Sequence, residues 1–238
     1  MTTLTKIIVT TLLSILMVSC QFNFGVKGNG NVTTSERTLN SDFDAIEVSR
    51  GLDVYLTQGT TESVKVQADE NLQDIIITEV ENGVLHIYSE ENISYAASKK
   101  IMVSLDNLER LSTSSGSDVM STGMISVTSL EISSSSGSDV ELDVEAETII
   151  CEASSGSDIK LSGTTKSFTA EASSGSDIKA ENLKAETTRA EANSGADVTV
   201  NTSKKLTASA NSGGDVKYYG DPEIVETNDG PSGNIRKQ

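Results

Sequence analysis

Six aspartates recur at nearly equal intervals along the second half of the chain, and their carboxylates are the groups best suited to chemistry. Each lies two residues after a glycine, and the six are Asp118, Asp139, Asp158, Asp177, Asp197 and Asp215. Rows of carboxylate oxygens suit Ca²⁺, so one hypothesis is a ladder of calcium ions. The intervals match neither the nine-residue calcium repeat nor an EF-hand loop. The sequence favours a row without metal, in which each carboxylate faces solvent and accepts hydrogen bonds from N–H groups and serine hydroxyls of its own turn.

Such a row has an electrostatic cost that the fold must offset. On neighbouring strands about 4.8 Å apart, adjacent carboxylates would lie roughly 5 to 7 Å from each other. At that range a like-charged pair costs about 0.6 to 0.8 kcal/mol in water and about 2.4 to 3.3 kcal/mol at an effective dielectric constant of 20. Hydrogen bonds or bound cations must therefore accompany the row.

Catalytic groups are scarce in the rest of the sequence. Ser157 with Lys160, and Ser176 with Lys179, match a Ser-x-x-Lys pattern by letter, but that chemistry places the lysine one helical turn from the serine. Here both residues fall on a turn and a strand. His86 is the only histidine, and its alternation with apolar neighbours predicts an exposed side chain rather than a general base. We therefore predict no catalytic residue, no cofactor and no enzymatic activity.

Charge and composition exclude further classes of protein. The net charge is −17, and no basic stretch offsets it, so the chain would repel a nucleic acid. One histidine and two cysteines are too few for a zinc or iron–sulfur site. With only 4% aromatic residues, the chain needs a repeating architecture to build a core.

A repeat of about twenty residues supplies that architecture. The sequence Ser/Asn-Ser-Gly-x-Asp-Val/Ile occurs six times, with intervals of 21, 19, 19, 20 and 18 residues between its glycines, which are Gly116, Gly137, Gly156, Gly175, Gly195 and Gly213. A near-fixed period of this length is typical of a solenoid. Each glycine is predicted to form a structural corner with positive φ, and the serine before it to bond the local backbone.

The residues between corners alternate with a period of two, which indicates half-buried strands. In one unit Ile149, Cys151 and Ala153 alternate with Ile150 and Glu152, and Ile150 is the main exception to a polar outer face. After each corner comes one β-branched residue, as suits a stacked interior row: Val119, Val140, Ile159, Ile178, Val198 and Val216. We predict an all-β, right-handed parallel β-helix with about 20 residues per coil.

Cys151 falls in the same inward column as Ile132, Ala170 and Ala190. We interpret it as a small core hydrophobe rather than a reactive thiol.

Both ends of the repeat region are less regular. The sequence at 49–54, Ser-Arg-Gly-Leu-Asp-Val, fits the repeat, and Gly51 lies 65 residues before Gly116, close to three periods. Several β-rich runs lie between them, two of which should form a hairpin at Glu81-Asn82-Gly83. Residues 230–235 resemble a degraded final unit, as expected at the end of a solenoid.

The first residues indicate export. Residues 1–19 hold one cation, Lys6, and an apolar run too short to span a bilayer, as in a secretory signal. The ending Met-Val-Ser-Cys resembles a bacterial lipoprotein signal, which would make Cys20 the lipidated N-terminus; an ordinary secretory signal is the alternative. Gln21 favours the outer membrane, facing either the periplasm or the exterior. Residues 20–40 are then a flexible tether and residues 41–236 a single domain.

Several of these segments together resemble a known family. They are Phe43 to Ser49, the stretch from Asn71 to Ile87, the serial Ser-Ser-Gly-Ser-Asp corners and the closing Tyr218-Tyr219-Gly220-Asp221-Pro222. They resemble the bacterial "putative auto-transporter adhesin, head GIN domain" family, and the resemblance implies a parallel β-helix in an envelope lipoprotein. We expect a structural or adhesive module, held to the membrane by its lipid, with an unidentified glycan or protein ligand. A β-helix that binds or degrades polysaccharide is the alternative.

Overall fold

The protein, described by a computed structural model over residues 25–238, is built from β-strands. Within that range there is no α-helix, only a single 3-10 turn at Glu70–Leu72, and no helix is long and apolar enough to cross a membrane. The strands are β1 Val26–Lys27, β2 Val32–Arg37, β3 Ala45–Val48, β4 Asp53–Gln58, β5 Ser63–Asp69, β6 Ile76–Glu81, β7 Val84–Ser89, β8 Ile93–Tyr95, β9 Lys99–Leu105, β10 Arg110–Thr113, β11 Asp118–Ser134, β12 Asp139–Ala153, β13 Asp158–Ser173, β14 Asp177–Asn193, β15 Asp197–Asn211, β16 Asp215–Tyr219, β17 Ile224–Asp229 and β18 Asn234–Lys237. The signal and Cys20 lie outside the described residues.

The repeat winds into a β-solenoid of about seven turns with about 19 residues per coil. From β11 to β15 each coil pairs in parallel with the next, and equivalent residues of successive repeats are direct partners, as with Val119 and Val140 or Ile132 and Cys151. Because side chains alternate along each strand, this register places every second residue in one interior stack. The predicted all-β solenoid is confirmed.

The interior columns contain the predicted residues. Cys151 is fully buried between Ile132 of one coil and Ala170 of the next. Burial raises the pKa of its thiol far above the ordinary value, so the thiol stays protonated and its predicted core role is confirmed. Ile150, the exception in the alternation, is 39% exposed.

The corners use two left-handed residues in succession. Ser155 has φ of 56° and Gly156 has φ of 71°, and the same serine–glycine pair with positive φ recurs at all six corners. The glycine was expected to adopt this conformation. The serine was not, since a side chain disfavours it.

Where a serine hydroxyl stabilises a corner, as at Ser138, Ser157 and Ser176, that serine follows the glycine rather than preceding it. Ala196 and Gly214 occupy this position at the last two corners. Ser176 is fully buried, and its Oγ lies 2.8 Å from the carbonyl oxygen of Ser173 and 2.9 Å from that of Ala153 on the preceding coil. It also accepts the Ser173 N–H at 3.1 Å. The hydroxyl thus closes its own corner and ties it to the coil below, which corrects the prediction for the preceding serine.

The amino-terminal coils stack out of sequence order. β4 lies directly beside β11, with Asp53 paired to Asp118, and β9 lies on the other side of β4. Likewise β3 lies between β7 and β10. Gly51 and Gly116 therefore belong to neighbouring coils and not, as their separation suggested, to coils three periods apart. The intervening chain forms the coil outside β3–β4 and the cap of the stack.

Part of the predicted tether belongs to this cap. β2 pairs antiparallel with β5, and β5 pairs antiparallel with β9, while β1 pairs with β8. Val26–Lys27 and Val32–Arg37, expected to be part of a flexible tether, are therefore paired strands. The predicted hairpin is confirmed: β6 and β7 are antiparallel across Asn82 and Gly83, which have φ of 51° and 80°, as a two-residue hairpin turn requires.

The last strands, β17 and β18, continue the stack on β15 and β16. Val225 continues the column of Leu206 but is 44% exposed. Further along β17, Thr227 and Asp229 stand where β15 has Ala208 and Ala210. Polar residues thus replace apolar ones on the final rung, as terminal solenoid units require.

Candidate functional site

The aspartate row exists and is longer than the six repeats. Register pairs join each of the six predicted aspartates to the next, and the row extends to Asp53 at one end and Asn234 at the other. Asp139 is exposed, and the other aspartates of the row are partly exposed. The row thus runs along one outer face of the solenoid.

Asp158, Asp177 and Asp197 are accompanied by lysines rather than by corner hydrogen bonds. Lys179 Nζ lies 2.8 Å from an oxygen of Asp158 and 3.3 Å from one of Asp177, and Lys217 Nζ lies 3.5 Å from Asp197. The corners instead use the aspartate backbone, as where Asp177 N–H donates to the Ser157 carbonyl at 3.0 Å. The expectation that corner N–H and hydroxyl groups hold the carboxylates is therefore wrong: the hydroxyls of the serines after the glycines, such as Ser176, are buried and bond backbone carbonyl groups instead.

The row offers no assembled cation site within residues 25–238, where no three acidic, histidine or cysteine groups converge as metal ligands. The pKa of Asp118 is raised above its ordinary value, first by partial burial and then by the charges of Asp139 and Asp53, while Lys99 opposes the shift. Lys99 Nζ lies 3.4 Å from Asp53, whereas Asp118 has no such ion pair among the described residues, so Asp118 carries the unfavourable charge that the sequence led us to expect.

Asp118→Asn is expected to increase the free energy of unfolding by about 1 kcal/mol at pH 7, because the amide removes repulsion from two neighbouring carboxylates. A raised pKa means that the folded protein holds this proton more tightly than the unfolded chain. The destabilisation caused by the Asp118 carboxylate is absent at low pH and grows as pH rises through the folded-state pKa. The stability gained by Asp118→Asn should therefore vanish below about pH 4. Urea unfolding of both proteins at pH 7 and below pH 4 measures this difference.

The matched control is Asp158→Asn, since Lys179 already neutralises Asp158. This variant should not increase the free energy of unfolding at pH 7. A loss of stability in Asp118→Asn at pH 7 would show that the carboxylate makes a favourable contact instead.

The other side of the coils carries a groove that the sequence did not identify. We call it the lateral groove; it has a volume of about 870 Å³ and extends from Ser126 to Ser203. Its floor consists of small buried side chains on successive strands, Ala146, Thr165 and Ala185. Small residues at this register make the surface concave, because their neighbours on either side are long and exposed.

Acidic and basic side chains line both walls of the lateral groove. One wall holds Glu145, Thr164 and Lys184 in register, and the other holds Glu147, Lys166 and Glu186. Lys166 hydrogen-bonds Glu147, and this bond and the lysine charge hold the pKa of Glu147 below its usual range. Lys204 Nζ lies 2.6 Å from Glu186. The only indication of this groove in the sequence was the set of charged residues midway between the corners. At these positions the alternation predicted half-buried strand and no groove.

The remaining candidates for chemistry have structural surroundings. Ser157 and Ser176 are fully buried corner residues, whereas Lys160 and Lys179 lie outside on Glu141 and Asp158. The Ser-x-x-Lys matches therefore do not bring hydroxyl and amine together. His86 is a partly exposed strand residue whose Nδ1 lies 3.2 Å from Glu47.

A stack of parallel coils with a filled interior and polar outer faces defines a β-solenoid. The chain belongs to the family described as "putative auto-transporter adhesin, head GIN domain", which matches residues 42–222. This confirms the resemblance found in the sequence, and an adhesin family indicates an exported or cell-surface protein. No curated protein matches the chain.

Solved structures share this fold. A "putative adhesin" from Bacteroides fragilis superposes with a TM-score of 0.84 at 20% identity, covering 90% of this chain and 100% of the other. A "putative lipid binding protein" from Parabacteroides distasonis has a TM-score of 0.71 at 24% identity, with 90% and 99% covered. A "putative adhesin" from Parabacteroides merdae has a TM-score of 0.73 at 16% identity, with 90% and 98% covered. At these identities the likeness concerns the fold.

Proposed function

We propose that the protein is a non-catalytic adhesive module of the outer membrane, exported by residues 1–19 and anchored through a lipidated Cys20. In this proposal the lateral groove binds an extended, hydroxyl-rich glycan chain. The observation that carries it is the groove itself, a channel with a floor of small residues and charged walls that runs across successive coils.

The groove suits a long polar chain better than a compact ligand. Four coils at about 4.8 Å spacing give about 14 Å of repeating wall, and the carboxylates, ammonium groups and hydroxyls along it can hydrogen-bond sugar hydroxyls. Part of the wall charge is already paired in the free protein, as where Lys166 bonds Glu147. A single site should therefore bind weakly, and many anchored copies on one membrane would supply adhesion through multivalency.

Glu147, on the groove wall, does not suit the acid role in hydrolysis. A glycosidase needs one carboxyl group with a raised pKa to protonate the leaving oxygen. The hydrogen bond from Lys166 moves the pKa of Glu147 in the opposite direction. The groove therefore favours binding over cleavage.

Calorimetric titration of the mature protein with purified envelope and host polysaccharides tests this proposal, together with an assay for released reducing ends. We expect saturable binding of at least one polymer without release of sugar. Lys184→Glu, which reverses a charge on the groove wall, should weaken that binding about tenfold or more, a loss of about 1.4 kcal/mol.

Lys65→Glu makes the same charge change on β5, outside the groove, and should leave binding unchanged. Release of reducing ends would support the degradative alternative. Equal losses in both variants would place the contact elsewhere, and no binding to any polymer would leave a structural lipoprotein.

A further inference from the structure

The cation–aromatic contacts of the described residues all lie at the amino-terminal end of the solenoid. Lys27 Nζ lies 5.9 Å from the centre of the Tyr95 ring. The other two contacts join Arg50 to Tyr88 and Lys100 to Tyr55, at 5.9 and 5.5 Å. An ammonium or guanidinium group beside a tyrosine ring combines an apolar body with polar tips, which is the combination found where proteins meet the headgroup layer of a membrane.

Two of these residues form an exposed projection on the cap. Lys27 and Tyr95 face each other across the β1–β8 pair. Tyr95 is 60% exposed, the largest exposure of any large hydrophobic side chain in the described chain. No packing requirement accounts for a ring held in this position, since most of its surface faces away from the protein.

The chain enters the described structure at the same place. Gly25 lies beside Asn92 at the start of β8, and Val26 N–H donates to the Asn92 carbonyl at 2.6 Å. An open cavity of about 780 Å³ adjoins this point and is lined by Gly25, Arg50 and Lys99, with Glu90 and Glu91 also on its wall. Gly25 follows Cys20 by five positions in the sequence, so their Cα atoms lie at most about 18 Å apart.

We propose that this surface, which we define as Lys27, Tyr95 and the adjoining wall at Arg50 and Lys99, lies against the phospholipid headgroups of the membrane that holds Cys20. The inference rests on the lipid anchor of the proposed function. A tether of this length keeps the β1–β8 pair near the bilayer, and the tyrosine ring and ammonium group then enter the headgroup layer. Because Glu90 and Glu91 balance the nearby cations, the contact depends on the ring and individual phosphate contacts rather than on net charge.

This orientation has a consequence for the lateral groove. The solenoid rests on its amino-terminal cap, so the later coils extend away from the bilayer, and the groove walls from Glu145 to Glu186 stay clear of the headgroups. A polymer could then reach the groove from the aqueous side.

The absence of tryptophan from the sequence permits a direct test. Lipidated mature protein carrying Tyr95→Trp is inserted into phosphatidylethanolamine and phosphatidylglycerol vesicles whose acyl chains are brominated near the headgroups. Tyr219→Trp is the matched control, because Tyr219 is also exposed, at 39%, but lies on β16 near the other end. We expect at least twofold quenching of Tyr95→Trp and none of Tyr219→Trp.

Amine labelling of the unsubstituted protein gives an independent measurement. Vesicle insertion should lower the labelling rate of Lys27 severalfold and leave that of Lys237, on β18, unchanged. Equal quenching of the two tryptophans together with unchanged Lys27 labelling would overturn the proposed orientation.

Flotation of the same samples separates this inference from the anchor on which it rests. Floating vesicles that carry the protein, with no quenching at position 95 and no protection of Lys27, would reject the orientation and leave the anchor intact. Protein that fails to float, as Cys20→Ser is expected to fail, would reject the anchor and the orientation together.

Discussion

Phe168→Ala is expected to lower the free energy of unfolding by about 3 to 5 kcal/mol. Phe168 is 1% exposed and is the bulkiest of the fully buried side chains. It stacks between Ile149 on one coil and Thr188 on the next, and Ala170 and Ala172 follow it on its own strand. Since the backbone ladder fixes these neighbours, and most of them are small, they cannot move in to fill the space that the ring leaves.

Urea unfolding of the mature protein measures this loss, with two variants as controls. Phe168→Leu should cost less than half as much, because it retains most of the buried volume. Ile150→Ala removes an apolar side chain that is 39% exposed and should change stability by less than about 1 kcal/mol. A loss below about 1 kcal/mol for Phe168→Ala would mean that the coils can collapse onto the cavity.

Phe168→Ala should also lower the cooperativity of unfolding. In a solenoid each coil contacts only its neighbours, so stability is a sum of coil and interface terms. A cavity between β12 and β14 weakens two consecutive interfaces in the middle of the stack. We expect the slope of the urea transition to fall along with its midpoint, as the two halves begin to unfold separately.

The regular coils were predictable because their information is local and repeated. In a parallel stack the same position of each repeat meets its equivalent on the next coil, so a period of two and a recurring glycine define both the strand and its partner. Cys151 is an example: its column position alone predicted its burial between Ile132 and Ala170.

The amino-terminal part was not predictable in the same way because its pairings are non-local. The distance between Gly51 and Gly116 suggested intervening coils, whereas Asp53 pairs directly with Asp118. The chain between them leaves the stack, forms the outer coil and cap, and returns. The spacing of the repeats in the sequence does not indicate that the chain returns in this way. Similarly, β2 is a polar strand whose partner, β5, lies some thirty residues away.

The candidate site was only partly predictable. The aspartates align as expected. The groups that neutralise them, such as Lys179, lie on the strand that follows a corner and not in the corner itself. The left-handed serines were missed because serine rarely adopts that conformation. The lateral groove depends on which residues are small at one register, Ala146, Thr165 and Ala185, and that register is known only once the coils are stacked.

Gly163→Ala is expected to lower the free energy of unfolding by about 3 kcal/mol or more. Gly163 has φ of 115°, and a Cβ at this position would lie 2.0 Å from the carbonyl oxygen of Val144, its partner on the preceding coil. Backbone atoms held in a ladder on both sides cannot yield, so the methyl group must break the pairing of β12 with β13. Thermal and urea unfolding measure the loss.

Gly156→Ala, on the same coil, separates steric overlap from backbone strain. Gly156 also has positive φ, at 71°, but a Cβ there would meet no atom within 4 Å. Alanine should therefore cost only the left-handed conformation, about 1 to 2 kcal/mol. Because Gly163 directly precedes Thr164 and Thr165, its replacement should also displace the lateral groove and weaken polymer binding, whereas Gly156→Ala should leave binding unchanged. Equal losses of stability in the two variants would show that the close approach to Val144 does not constrain this residue.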